Sequence, residues 1–262
     1  MTTRSQLLSS AVAFALACLV VITVHELGHV LGSLAQGRGA VLYGFSVDDD
    51  ALTDRQEIVT ALAGPLVSLL TGVAVLATPR SRLPPFWRLT VLWTGLLSVQ
   101  EFSGYLITGP FAHVGDIGAV LDVTGAPAAV GWLGFVVGWV TTYLVGQHAV
   151  RGLVGFTSPS LTLAPQLRAL GLFAWLIGAG LVIALSAGLL TAGGVAGGVV
   201  VFEALGVLSS GIFLIFVRVF LRGLHVPVVE PDPLPPTPWA GIVVLVLVVL
   251  ARQLALAGGI DF

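Results

Sequence analysis

The sequence predicts an all-α polytopic membrane protein with about seven transmembrane helices and a short β-hairpin after the first. Two observations carry that fold class. Hydrophobic residues fill 56% of the 262 positions against 9% charged, and the mean hydropathy of +1.03 lies far from globular averages. Seven stretches also approach the roughly 20 apolar residues that a bilayer crossing requires. The same composition excludes other classes. The single cysteine, Cys18, sits inside an apolar run, so there is no disulfide framework and no cysteine-based zinc site. A net charge of -2 without a basic cluster leaves no electrostatic footprint for nucleic acid.

The first stretch, 6–35, follows Arg4 and has the outline of a secretory signal, with Ala15, Leu16 and Ala17 in the place of a cleavage site. The apolar run continues to Val24 with no polar mature start, so the segment is expected to remain as a membrane helix. In 37–54, "GRGAVLYGFSV" alternates as a strand or hairpin does, and "DDDALTD" reads as a solvated turn. The second and third stretches, 56–78 and 86–107, flank "TPRSRLPP", a proline-bounded basic loop. Next, "TGPFAHVGDIGAVLDVTGAP" at 108–127 is punctuated by glycine and proline and is too polar for lipid, though not for re-entry into a protein cavity. Four further stretches follow at 127–149, 169–193, 197–221 and 238–257, the last after the extended linker "VPVVEPDPLPPTP". The glycines of 178–198 read as sites of close helix packing.

Every basic residue is arginine, and the arginines are unevenly shared. With the N-terminus in the cytoplasm, the inner side collects Arg4, Arg80, Arg82, Arg88, Arg151, Arg168, Arg218 and Arg222, leaving Arg38, Arg55 and Arg252 outside. The positive-inside rule favours that orientation. The expected location is a multi-pass position in the cell membrane of a prokaryote.

Polar chemistry concentrates in "VHELGH" near the end of the first stretch. Positions i and i+4 share a helix face, so His25 and His29 can hold one metal ion through their imidazoles. Glu26 then lies beside the metal without needing to bind it, as a general base for water does. Ionisable groups at membrane depth are costly and point to function. Catalytic zinc takes a third protein ligand and keeps one position open. Candidates are His113, Asp116 and Asp122 in 108–127, Glu101 inside the third stretch, and Glu203, His148 and His225 further on. His113 and Asp116 lie close together, with Gly115 and Gly118 allowing a tight fold toward a site. Glu101, beside Gln100 and Ser103, is expected to face the bundle interior or the substrate cavity.

"HELGH", "ALAGPLVSLL" at 61–70 and the Pro/Gly-rich segment carrying Asp116 together resemble the site-2 protease family of intramembrane zinc metalloproteases. The resemblance covers roughly residues 20–120. It implies His25, His29 and Asp116 as zinc ligands, Glu26 as the base, and Ala63, Gly64 and Pro65 as a packing motif beside the active site. Where the family often has an asparagine after its Gly-Pro, this chain has Ser68, and Ile107 stands at the asparagine position of the family's Asn-x-x-Pro. The spacing from Pro110 to Asp116 is one residue longer than the commoner pattern.

The resulting expectation is a zinc metalloendopeptidase core in 1–125, followed by helices of unassigned role in 126–262. It would cut a peptide bond within or next to a substrate transmembrane helix, with the lipid bilayer as its medium and no nucleic-acid partner. His113, Glu101, Gly64, Pro65 and Ser68 would support the site or line its cavity. The rival expectation is a metal-binding membrane transporter or scaffold without proteolytic activity.

Overall fold

The computed structural model describes residues 2–50, 53–190, 197–216, 219 and 233–262. Helix α1 (Thr3–Leu34) starts on a capping box in which the Thr2 side chain accepts from the Ser5 N–H. Beyond it, β1 (Val41–Leu42) and β2 (Val47–Asp48) pair antiparallel, the hairpin expected from the alternation. Then come α2 (Asp54–Ala77), α3 (Pro85–Ala112), α4 (Gly115–Thr124) and α5 (Ala128–Val154). The chain continues through α6 (Leu163–Leu167), a π-helical turn at Arg168–Phe173, α7 (Ala174–Leu190) and α8 (Gly197–Ser209). A 3₁₀ turn (Ile212–Phe216), α9 (Trp239–Leu256) and β3 (Ile260–Asp261) complete the described chain.

Helix α1 is the axis of the bundle: 72% of its apolar window is buried, against 28% for α2 and 22% for α5 and α9. Phe14 packs edge-on to Trp93 of α3 at 5.2 Å, and the Trp93 indole N–H donates to Ser10 Oγ at 3.0 Å. Consecutive long helices run antiparallel. Gly28 faces Ala63 and Gly64, Gly72 faces Val99, and Gly152 faces Leu92. The start of α1 and the loop 78–84 therefore share one end of the bundle, and the hairpin lies at the other. There β3 adds to the free edge of β1, giving the order β2-β1-β3 with Leu42 opposite both Val47 and Ile260.

Two sequence expectations need correction, and a third is met in part. The third helix does not stop at 107. It continues to Ala112 and passes through His113 (φ 53°) and Gly115 (φ 68°) into α4 with a bend of 50°. Pro110 lies inside this helix, and Gly131 of α5 leaves room for its ring. Segment 108–127, expected as a Gly/Pro-punctuated connection too polar for lipid, is therefore mostly helical. The described residues hold five helices long and apolar enough to cross a bilayer, or six if the bent α3–α4 pair is one span, so not all of the expected seven lie among them. The expected span 197–221 is helical at Gly197–Ser209 and Ile212–Phe216, and its remainder is largely outside the described residues. Lastly, Arg252, counted with the outer side, is not a solvent-facing charge. It is 6% exposed within α9, and its guanidinium donates to Thr23 Oγ1 of α1 and to the Gly44 carbonyl of the hairpin.

Candidate metal centre

Two turns of α1, one bend in the α3–α4 pair and the middle of α2 build the site. His25 and His29 project from the same face of α1, with their Nε2 atoms 3.1 Å apart. The bend after Ala112 swings Asp116 back over α1, where Oδ2 lies 3.1 Å from His25 Nε2 and 3.4 Å from His29 Nε2. Both histidines are buried, and among the described residues no hydrogen-bond donor is directed at the buried Asp116 Oδ2.

The other ring nitrogens explain why these three atoms face one another. His29 Nδ1 is 2.8 Å from the Thr60 carbonyl oxygen, which can only accept, so Nδ1 carries the proton and Nε2 presents a bare lone pair. His25 Nδ1 is 3.2 Å from Ser68 Oγ, which can accept in the same way. Two lone pairs and a carboxylate oxygen converging without a proton between them would repel unless a cation joined them. Their spacing fits one. Tetrahedral ligands at about 2.0–2.1 Å from an ion are about 3.3 Å apart, and the observed triangle has edges of 3.1, 3.1 and 3.4 Å. His25, His29 and Asp116 could thus hold a metal ion through one tetrahedral face.

Helix α2 comes this close because its facing residues are small. A Cβ on Gly64 would run into the His29 imidazole, and one on Gly28 would meet Ala63 O and Gly64 Cα at 2.8 Å. Pro65 removes the N–H that would serve Ala61 O and crowds that turn, while the adjacent carbonyl, on Thr60, accepts from His29. Gly64, Pro65 and Ser68 are all buried in α2, with Gly64 and Ser68 against the histidines of α1.

Glu26, buried and one residue beyond His25, acts electrostatically on both histidines, Asp116 and Arg252. Glu101 of α3 is half-buried and acts on His25, Glu26 and Asp116. His113 is not in the cluster: 66% of its side chain is exposed, and Nδ1 is 2.7 Å from Asp122 Oδ1. His148 is exposed on α5, near Arg80 and Arg151. The Glu203 side chain and His225 lie outside the described residues.

Three participants were not singled out from the sequence. The Tyr105 ring stacks on His25 at 5.2 Å and fills the space beside Gly115. Thr60 acts through a main-chain carbonyl, which no residue pattern reveals. Arg252 did carry a signal, an arginine in the middle of an apolar stretch.

Comparison with known protein families, with curated proteins and with solved structures finds no match to this chain.

Proposed function

We propose that this chain is an intramembrane zinc metalloendopeptidase, resembling the site-2 proteases, that hydrolyses a peptide bond within or next to a partner's membrane helix. The observation that supports it best is the pairing of the His25–His29–Asp116 triangle with a buried carboxylate, Glu26, that is free of the ligand set. Two imidazoles and one carboxylate are the donor set of catalytic rather than structural zinc, because they leave a position open. Zinc held there would polarise the scissile carbonyl and make a neighbouring water more acidic.

The chain's own residues do the rest. Glu26 takes a proton from the attacking water as its oxygen bonds to the peptide carbon, then passes that proton to the departing amine as the C–N bond breaks. Thr60 and Ser68 keep the two imidazoles in the tautomer that offers Nε2. The substrate helix must unwind locally, since its carbonyls are otherwise engaged in helical hydrogen bonds.

The test compares membranes of cells producing the wild-type chain and Glu26→Gln, scored for new protein termini inside transmembrane segments and for metal in the purified chain. Metal retained with those termini abolished is the expected result. Termini that persist in Glu26→Gln would contradict the proposal. A metal transporter would instead keep its flux in that variant.

A further inference from the structure

At the opposite end of the bundle from the metal centre, the first turn of α1 and the π-helical turn enclose an open cleft of about 340 Å³. Arg4 and Arg168 stand in its wall, and Leu7, Ala169 and Phe173 give it an apolar floor. Among the described residues no carboxylate lines it and neither arginine has an ion-pair partner. Arg168 Nε is buried without a hydrogen-bond acceptor. An unpaired guanidinium facing a cleft calls for an anion.

The backbone here is also unusual. Arg168–Phe173 forms a π-helical turn, a rare geometry that is frequent at functional sites. Ser10 Oγ, which receives the Trp93 N–H, donates to the Leu170 carbonyl at 2.6 Å and holds the widened turn against α1. Three cleft-lining residues, Arg168, Ala169 and Phe173, come from that turn.

We infer that this cleft binds an anionic glycerophospholipid. The phosphate would sit between Arg4 and Arg168 at the start of α1, where two guanidinium groups favour a phosphate oxygen. The acyl chain would run along Leu7, Ala169 and Phe173. The cleft lies at the bundle end that also carries Arg80, Arg82, Arg88 and Arg151. A basic pocket between helices on such a face matches the chemistry of a phospholipid headgroup.

The experiment is native mass spectrometry of the detergent-solubilised full chain, titrated with short-chain phosphatidylglycerol, short-chain phosphatidylcholine and glycerol phosphate. Phosphatidylglycerol should be retained in preference to phosphatidylcholine, and glycerol phosphate should not displace it. Arg4→Gln and Arg168→Gln should each weaken retention about tenfold, the scale of one charge-assisted hydrogen bond, while Arg82→Gln, outside the cleft, should leave it unchanged. Arg4 is exposed, so its variant tests the site even if Arg168→Gln misfolds. Equal retention of phosphatidylcholine, full displacement by glycerol phosphate, an equal loss in Arg82→Gln, or unchanged retention in Arg4→Gln would each overturn the lipid assignment.

Discussion

Ser68 shows how a site residue can be visible in a sequence while its work is not. Its hydroxyl, fully buried, meets His25 Nδ1 at 3.2 Å. Removing it leaves the imidazole N–H unpaired and the ring free to tilt. Loss of such a partner costs about 10- to 100-fold in metal affinity, so Ser68→Ala should weaken binding by that factor in a competitive chelator titration, with the helical circular dichroism unchanged. Unaltered affinity would show that Ser68 does not orient His25. His25, Glu26 and His29 were legible because helical spacing alone puts the histidines on one face. Asp116 was legible through the resemblance and through the cost of an unpaired carboxylate at membrane depth, since spacing left His113 and Asp116 equivalent until the helix break turned one inward and the other toward Asp122.

Among the elements, the apolar helices and the hairpin were legible from local pattern, whereas the α3–α4 bend and β3 were not. Gly109, Pro110 and Gly115 read as loop residues when taken alone, whereas in the fold the helix runs through Gly109 and Pro110 to Ala112, with Gly131 of α5 against Pro110. Strand β3 is two residues long and pairs with β1 across more than 200 positions, with no periodicity to announce it. The hairpin is fastened by Asp49, which accepts from Ser33 Oγ at 2.5 Å and pairs with Arg38 at 2.8 Å, while Arg38 also donates to Thr60 Oγ1 at 2.6 Å. Partial burial pushes the Asp49 carboxyl up, but the Ser33 and Arg38 hydrogen bonds outweigh it and hold the group below its ordinary value of 3.8. A depressed folded value means that this pair contributes stability above pH 3.8, and that the contribution fades as pH falls through the lowered value. Thermal unfolding of Asp49→Asn should therefore lie below wild type by a constant margin at neutral and mildly acidic pH. The margin should shrink only below 3.8. A margin that vanished near neutrality would contradict the ion pair.

For the whole molecule, antiparallel packing separates a face bearing Arg4, Arg80, Arg82, Arg88, Arg151 and Arg168 from the end that holds the hairpin and the candidate metal centre. With Arg252 buried, only Arg38 and Arg55 remain at the second end among the described residues. The asymmetry is sharper than the sequence count suggested, because burial is not legible from the position of an arginine alone. In a Cys18→Ala background, a cysteine at position 82 should be labelled from the cytoplasmic side and one at position 126 from the opposite side. The reverse pattern would invert the orientation. The metal centre is the claim on which the proposed function rests, and its most direct test is the metal content of the purified full chain, read by mass spectrometry beside Asp116→Asn and His113→Ala. About one zinc per chain in the wild type and in His113→Ala, with little in Asp116→Asn, is the expected result. A wild-type chain without metal, or metal lost in His113→Ala and kept in Asp116→Asn, would contradict it.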